Sequence, residues 1–317
     1  MASFFLFTMR YSSPRTSIRF VNTRQWRWPE PSGVCMNAIA VLTATPSHDL
    51  LEFYSGFVRL GYRVFVVIDD NSFKFGNVEV KFKDAGTSLI QFDDDECRRA
   101  GFFDFNPAIE KRSRCAAWEK ALYYFCRRDL SHDHVWFIED DVFVPNHETL
   151  LNIDRKYGKA DIISADNAVN EYGVFDGWYW WEFVPKAILR PPWAKSMVCT
   201  VRLSRKMLTA LDSLIRSNGN KLRFQNAVMK VAGLLGRRQQ DSPRKCFFIE
   251  YTFHTLALHN QLSVIKAEEL SGILWSKEWH VSEMNPGTIY HPLKHRDLHS
   301  RYRTKLNQDK SLTNKLI

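Results

Sequence analysis

The sequence predicts an α/β protein in which a mainly parallel β-sheet is flanked by helices on both faces. Short apolar runs with the length of buried strands alternate with longer segments whose apolar residues have helical spacing. The chain has 317 residues, of which 45% are hydrophobic, so it can bury one large core or two small ones. No internal repeat interrupts the alternation.

The first half of the chain carries the clearest alternation of strands and helices. Strands are predicted at residues 38–43, 63–68, 88–92 and 135–138, each a short apolar run bounded by polar or turn-forming residues. Helices are predicted at residues 47–60, where Gly61 ends the pattern, and 114–128, which carries an apolar stripe. Carboxyl ends of parallel strands meet at one edge of a sheet, so the acidic residues that follow these strands should lie together there.

The second half has weaker periodicity. Strands are predicted at 161–165 and 247–249, helices at 204–217 and 251–259, and a mobile or acceptor-facing insertion at 217–245. No linker is evident, so residues 36–300 are predicted to form a single domain.

Both ends of the chain are basic. Residues 1–34 contain five arginines and one glutamate, residues 291–317 contain seven basic and two acidic residues, and these ends account for the whole net charge of +9. We therefore predict a flexible basic extension over residues 1–35 and a basic tail over 301–317. Because the middle of the chain is neutral, no nucleic-acid partner is expected, and membrane contact is expected only through the basic ends.

Composition also bears on the compartment. The apolar stretch at residues 2–9 is much shorter than the roughly 20 residues that span a bilayer. The six cysteines show no CxxC pair and no zinc-ligand spacing, so we predict mostly buried thiols and no zinc. Their even number does not establish a disulfide framework, and a reducing compartment fits at least as well. We predict a soluble cytoplasmic protein. Organelle targeting by the Arg- and Ser-rich extension is the alternative.

Three consecutive acids, Glu139, Asp140 and Asp141, end the fourth strand. Burying them without a cation would be costly, so they should lie at the exposed carboxyl edge of the sheet. Hard divalent ions such as Mn²⁺ and Mg²⁺ prefer carboxylate ligands and often keep substrate phosphates in their shell. The acids could alternatively form a strand-terminal turn or cap a helix.

The block from Phe137 to Val142 resembles the DXD-type motif of GT-A glycosyltransferases. Its Glu-Asp-Asp form is nearest to that of N-acetylglucosaminyltransferases that use UDP-GlcNAc. Upstream, Arg114, Trp118 and Ala121-Leu122 resemble the Arg-x-x-x-Trp-x-x-Ala-Leu helix that precedes this motif in the family. Asp69 and Asp70 match the acidic end of the family's second strand. The resemblance covers residues 37–167.

The resemblance implies a GT-A-like (Rossmann-like) fold and a glycosyltransferase that moves a sugar from a nucleotide-diphosphate donor, a UDP-sugar, to a hydroxyl group with the help of Mn²⁺ or Mg²⁺. Residues 36–145 would form the nucleotide-binding half and residues 146–300 the acceptor half, with a glycan, a protein or a small molecule as acceptor. The residues predicted to bind the donor are Thr43, Asp69, Asp70, Arg114, Glu139, Asp140 and Lys294. In the family the last acid of the motif contacts the metal, a role that falls here on Asp141.

A C-terminal histidine completes the metal shell in many GT-A enzymes. By this resemblance His291 is predicted as a metal ligand, with Lys294 near the diphosphate. His295 and His299 compete with His291 for the role.

An inverting transferase also needs a carboxylate that removes the proton of the acceptor hydroxyl. Glu250 is the first candidate, although an acid in the first turn of a helix can simply favour the helix dipole. Asp176 and Glu182 are the alternatives because they flank a run of large aromatic residues that suits the apolar faces of sugars.

Other classes of protein share some of these features. A sugar-phosphate nucleotidyltransferase usually has a glycine-rich basic loop after the first strand, whereas residues 43–47 contain no glycine. A catalytically inactive nucleotide-sugar binding protein would lack metal-binding acids, and none is missing here. A metal-dependent nuclease is disfavoured by the neutral middle of the chain.

Overall fold

The computed structural model describes residues 37–70, 86–103, 105, 115–234 and 245–313. The predicted extension over residues 1–35 and the predicted donor contact at Arg114 lie outside the described residues.

The central sheet has seven strands in the order β3-β2-β1-β4-β8-β5-β9. β8 runs antiparallel to β4 and β5, and every other neighbouring pair is parallel. The mainly parallel α/β sheet is therefore confirmed. Its strands are β1 (Asn37–Thr43), β2 (Arg63–Ile68), β3 (Thr87–Gln91), β4 (His134–Glu139), β5 (Ile162–Ser164), β8 (Thr200–Ser204) and β9 (Val264–Lys266).

Two small sheets accompany the central one. One pairs β6 (Ala168–Asn170) with β7 (Trp193–Lys195) in antiparallel fashion. The other pairs β10 (Gly272–Ile273) with β11 (Tyr290–His291) in parallel. Both lie in the half of the chain whose periodicity is weak.

Helices connect and cover the strands. They are α1 (His48–Ser55), α2 (Asp94–Arg99), α3 (Ala117–Tyr123), α4 (His147–Lys156), α5 (Arg205–Leu234), α6 (Ile249–His259) and α7 (Arg296–Thr313). α1 begins where the Ser47 hydroxyl accepts a hydrogen bond from the Leu50 N–H, and Gly61, at φ +89°, ends the turn that follows it. None of the described helices has both the length and the apolar character required to cross a membrane.

Two predicted elements differ in the structure. The helix predicted at 204–217 continues to Leu234 and so includes much of the segment predicted as an insertion. The strand predicted at 247–249 is wrong: the Phe248 carbonyl accepts from the N–H of Thr252 at 2.9 Å, which makes this apolar run the start of α6. A short buried apolar run fits a strand or a helix start equally well, so periodicity alone could not separate them.

The core has two layers because both faces of the sheet are covered. Ala38, Ala40 and Leu42 of β1 join the hydrophobic cluster on one face, whereas Ile39 and Val41 join the cluster on the other. This period of two along a fully buried strand explains why β1 reads as a continuous apolar run. The cysteines that the structure describes are buried free thiols.

A buried polar network crosses the second of these layers. Asp154 of α4 pairs with Arg202 of β8 at 2.7 Å. A second guanidinium nitrogen, Nη2, donates to the carbonyl oxygens of Tyr157, Gly158 and Ala160. Buried charges are tolerated when they are paired and hydrogen-bonded in this way.

Residues 301–313 of the predicted basic tail continue helix α7. The Ser300 hydroxyl donates to Asp49 of α1 at 3.0 Å, and Arg303 Nε donates to the Val144 carbonyl at 3.0 Å. The Arg303 guanidinium also stands 3.4 Å from the centre of the Phe53 ring. These contacts hold α7 against α1 and the chain that follows β4.

Candidate active site

The three acids lie at the carboxyl end of β4, between β1 and β8. Glu139 is the last residue of β4, and Asp140 and Asp141 form the turn that follows. The main chain fixes this turn, because the Glu139 N–H donates to the Cys199 carbonyl at 2.9 Å and the Val142 N–H donates back to the Glu139 carbonyl at 3.0 Å.

A segment near the C-terminal end of the described chain is hydrogen-bonded to this turn. Phe143 and Tyr290 exchange two main-chain hydrogen bonds of 2.8 and 3.0 Å, and the Leu293 N–H donates to the Asp141 carbonyl at 2.7 Å. Gly272 lets Tyr290 approach closely, since a Cβ at position 272 would lie 2.5 Å from the Tyr290 ring. His291 is thereby brought to Asp141.

Glu139, Asp141 and His291 form a compact cluster in which one ligand-type atom from each residue lies within 4.8 Å of the others. His291 Nε2 lies 3.5 Å from Asp141 Oδ1. The other ring nitrogen, Nδ1, lies 2.9 Å from the Leu274 carbonyl and donates its proton there, so in the neutral form of the ring the Nε2 lone pair faces Asp141. Asp141 Oδ1 is buried and accepts no hydrogen bond from any described residue.

The charges in this cluster perturb one another. Burial, together with the negative charges of Asp141 and Asp140, raises the pKa of Glu139 to about 7. A hydrogen bond from Trp118 partly opposes this rise. Burial also opposes ionisation of Asp141, but pairing with His291 outweighs it and lowers the Asp141 pKa. Burial likewise opposes charging of His291, and the Asp141 carboxylate outweighs it and raises the His291 pKa.

These observations fit a divalent cation. An unpartnered buried carboxylate oxygen faces an imidazole nitrogen whose tautomer is fixed by a backbone carbonyl, an arrangement common around protein-bound metals. Oxygen-rich ligand sets of this kind suit Mn²⁺ or Mg²⁺. The competing histidines are placed differently: His299 is buried against the Leu293 carbonyl at 2.8 Å, and His295 is exposed.

Asp140 makes contacts separate from this cluster. Its Oδ2 accepts a 2.5 Å hydrogen bond from the Thr43 hydroxyl at the end of β1 and another from Arg296 Nη2. Arg296 Nη1 also donates to the Thr45 carbonyl at 2.5 Å. Burial and the charge of Asp141 raise the Asp140 pKa, and Thr43 and Arg296 oppose that rise.

Of the remaining predicted donor-binding residues that the structure describes, Asp69 and Asp70 follow the carboxyl end of β2, and Lys294 follows β11. The main-chain carbonyls of Asp69 and Asp70 accept hydrogen bonds from Lys120 Nζ at 2.8 Å and Gln91 Nε2 at 2.6 Å. Lys294 is exposed and its charge favours ionisation of Asp141. Trp118, quoted above for the resemblance, donates from Nε1 to Glu139 Oε1 at 2.6 Å.

Glu250 lies in the first turn of α6, close enough to Glu139 and His291 for their charges to affect its ionisation. Burial first, and then the negative charge of Glu139, raise the pKa of Glu250 to about 7, against the positive charges of Lys195 and His291. No described residue donates a hydrogen bond to its carboxylate. A half-buried acid with a pKa near neutrality can take up a proton at physiological pH.

The two alternative acids have other surroundings. Asp176 Oδ1 accepts 3.0 Å hydrogen bonds from the Trp178 N–H and from Trp181 Nε1, and its Oδ2 lies 4.0 Å from Lys195 Nζ. Burial opposes ionisation of Asp176, but these hydrogen bonds and the charge of Lys195 together outweigh it and lower the Asp176 pKa. The Glu182 side chain is exposed, and its carbonyl accepts from Lys245 Nζ at 2.5 Å.

Sequence reasoning missed three basic residues, one at the acidic turn and two that contact other predicted site residues, Asp69 and Asp176. Arg296 contacts Asp140, the buried Lys120 contacts Asp94 at 3.1 Å, and Lys195 stands 4.6 Å from the centre of the Trp178 ring. Arg296 follows His291 closely in sequence, which was the one available signal. The other two have none, because isolated lysines are common on surfaces.

Comparisons with known proteins gave structural similarities only. No family model and no curated protein matches the sequence. Similar solved structures include the glycosyltransferase GlyE of Streptococcus pneumoniae TIGR4, at 10% identity and a TM-score of 0.36 over 88% of this chain and 64% of that one. The chain thus spans less than two thirds of the GlyE structure.

Two further structures show the same level of similarity. Mouse xyloside xylosyltransferase 1 has 11% identity and a TM-score of 0.38 over 81% of this chain and 97% of that one. An active-site mutant of LgtC has 12% identity and a TM-score of 0.39 over 86% of this chain and 96% of that one. Because similarity at this level does not establish function, we base the functional assignment on the geometry of the site.

Proposed function

We propose that the chain is a metal-dependent glycosyltransferase of the GT-A type, which moves a sugar from a nucleotide-diphosphate donor, a UDP-sugar, to a hydroxyl acceptor. The observation that carries the proposal is the approach of Asp141 Oδ1 and His291 Nε2 at the carboxyl end of β4, beside Glu139. When His291 is neutral, its Nε2 and Asp141 Oδ1 both offer a lone pair to the same place, which would favour a cation between them.

The topology of the sheet supports a nucleotide at the same place. Following the chain, β1, β2 and β3 build the sheet in one direction, and β4 then joins the other side of β1. Ligands of open α/β sheets bind in the crevice outside the strand ends where the order reverses. Thr43 and Asp140 lie on the two sides of this crevice and are joined by a hydrogen bond.

Asp141 and His291 would hold the cation, with Glu139 as a further ligand or as an acceptor for a metal-bound water. The cation, Mn²⁺ or Mg²⁺, would supply positive charge that offsets the charge developing on the diphosphate leaving group. Thr43 and Asp140 would position the nucleotide and sugar, and Lys294, exposed at the rim, would attract the diphosphate.

Glu250 would act as the base in an inverting reaction. Its carboxylate would take the proton of the acceptor hydroxyl while that oxygen bonds to the anomeric carbon and the bond from that carbon to the diphosphate breaks. Its lack of a hydrogen-bond donor among the described residues leaves the carboxylate available for an acceptor, which would be a glycan, a protein or a small molecule.

The proposal predicts that UDP binding requires the divalent ion, because the carboxylates would otherwise repel a diphosphate. Calorimetric titration of UDP into the protein with Mn²⁺ should give binding that is weakened on the order of 100-fold by EDTA. Adenosine diphosphate serves as a nucleotide control. Equal UDP affinities with and without the ion would refute a metal-bridged donor.

Replacing the base should slow turnover without weakening donor binding. Glu250→Gln preserves shape but cannot accept a proton, so kcat should fall by about 10²- to 10⁴-fold while the affinity for UDP is retained. Glu171→Gln, at an exposed glutamate that is not among the predicted site residues, is the matched control and should retain activity. A folded Glu250→Gln protein with near-normal kcat would reject Glu250 and direct attention to Asp176.

Because the pKa of Glu250 is raised, the activity and stability of the wild-type protein should depend on pH in a way that Glu250→Gln does not share. The base must be ionised to act, so wild-type kcat/KM should fall as the pH drops below about 7. Since the folded-state pKa is raised, the free protein should also lose stability as the pH rises from about 4.5 towards 7. Glu250→Gln should lack this contribution to the loss, as measured by melting temperature against pH.

A further inference from the structure

Arg296 is the first residue of α7. Among the described residues, it is the only arginine that forms an ion pair with one of the three acids. Nη2 contacts Asp140 Oδ2, and Nη1 donates to the Thr45 carbonyl. The guanidinium thus connects the acidic turn to the loop that follows β1. Two directional contacts from one planar group fix the side chain far better than a single charge contact would.

The acids are divided into two sets by this contact. Asp140 is held by Arg296 and Thr43, whereas Glu139 and Asp141 face His291. Glu139 ends β4 whereas Asp140 and Asp141 form the turn after it, and in this turn neighbours in sequence reach different partners. Two carboxylates and an imidazole remain for a cation, and the third carboxylate is already neutralised by the chain itself.

The other nearby basic residues do not share this role. His291 must present an uncharged Nε2 to bind a metal, so it cannot serve as a permanent counter-charge. Lys294 is exposed, and its charge favours ionisation of Asp141. Arg296 and Asp140 are more enclosed, with side chains 35% and 19% exposed, so their interaction is less screened by water.

We propose that Arg296 is a positioning residue that reserves Asp140 for the donor and leaves Glu139, Asp141 and His291 for the metal. Without Arg296, a third unneutralised carboxylate would lie beside the cation and in front of the diphosphate. The cation alone should then bind more tightly, and the diphosphate more weakly. The donor part of this inference rests on the proposed function, whereas the metal part does not.

Two titrations of Arg296→Gln test the proposal. In calorimetry with MnCl₂ alone, the variant should bind Mn²⁺ more tightly, by on the order of threefold to tenfold. With Mn²⁺ saturating, its affinity for UDP should fall by about tenfold. Arg301→Gln, an exposed arginine of the same helix, should change neither value, and Arg296→Lys should restore much of the wild-type Mn²⁺ affinity because it keeps the charge.

A purely structural role would not move the two affinities in opposite directions. Weaker binding of both Mn²⁺ and UDP, or no change in either, would overturn the proposal. Asp140→Asn provides a second test that does not depend on the folding of Arg296→Gln. It should leave Mn²⁺ affinity within about threefold of wild type, because Asp140 does not ligate the metal.

The same variant separates the two proposals. A loss of Mn²⁺ affinity in Asp140→Asn as large as that in Asp141→Asn would make Asp140 a ligand and refute the division of the acids. If the Mn²⁺ titrations behave as expected but no nucleotide binds, the glycosyltransferase assignment fails and the division of the acids stands.

Discussion

Asp141→Asn is expected to abolish metal-dependent sugar transfer and to weaken Mn²⁺ binding by about 100-fold or more. A neutral amide oxygen is a weaker ligand for a hard cation than a carboxylate oxygen, and the buried Oδ1 that faces His291 would lose its charge. The readouts are calorimetry with MnCl₂ and the rise in melting temperature that Mn²⁺ produces in the wild-type protein, which the variant should lack.

The matched control is Asp297→Asn, an exposed acid in the first turn of α7. Like Asp141→Asn, this substitution removes one negative charge, and the Asp297→Asn protein should bind Mn²⁺ with wild-type affinity. Wild-type Mn²⁺ affinity in a folded Asp141→Asn protein would contradict the metal site.

The variant should also have a modest stability cost without metal. The pKa of Asp141 is lowered in the folded protein, so its ionised form stabilises the fold. That contribution is present above the unfolded-state pKa of about 3.9 and is lost as the pH falls through the lower folded value. Repulsion among the three adjacent acids opposes ionisation of Asp141, but pairing with His291 has the larger effect on the Asp141 pKa.

Asp154→Ala is expected to lower the free energy of unfolding by about 3–5 kcal/mol. Asp154 accepts from Arg202, Tyr62, Trp136 and Asn37, at 2.7, 2.6, 3.1 and 3.0 Å respectively. Its removal would leave the guanidinium of Arg202, a fully buried residue, without a counter-charge. Urea denaturation followed by circular dichroism measures the loss.

Two further variants sharpen this test. Asp133→Ala, at an exposed position beside β4, should change the unfolding free energy by less than about 0.5 kcal/mol. The double replacement Asp154→Leu with Arg202→Met removes both charges and should recover part of the stability, because no charge is left buried without a partner. The recovery is partial because Tyr62 and Trp136 lose their acceptor. A loss below about 1 kcal/mol in Asp154→Ala would show that water compensates Arg202.

The central sheet was predictable because most of its strands can be recognised from a few consecutive residues of the sequence. β1, β2 and β4 are buried on both faces, so each appears in the sequence as a short apolar run, and parallel order follows from the helices between them. The antiparallel β8 was not predictable. Its apolar and polar residues do not form a continuous apolar run, although all of them are buried. Because arginine is usually exposed, Arg202 makes this central strand resemble a surface strand in the sequence.

The acids of the site were also predictable, since Glu139 to Asp141 directly follow a buried strand. The residues that contact these acids were harder to predict. The contact between Asp141 and His291 depends on the main-chain bridge between Phe143 and Tyr290, which no local pattern encodes. Family resemblance supplied His291, but neither resemblance nor pattern pointed to Arg296. Long-range pairing therefore marks the limit of inference from the sequence.

The distance along the chain between the two parts of the site has a consequence for biosynthesis. Arg296 follows Asp140 by 156 residues. At synthesis rates of roughly 5–20 residues per second, the acidic turn leaves the ribosome about 8–30 s before its basic partner. During that interval the early strands can pair while the carboxylates remain in water, so the nascent chain gains its sheet before it gains a cation site. Assembly of the site is thus a late maturation event, separate in time from formation of the core.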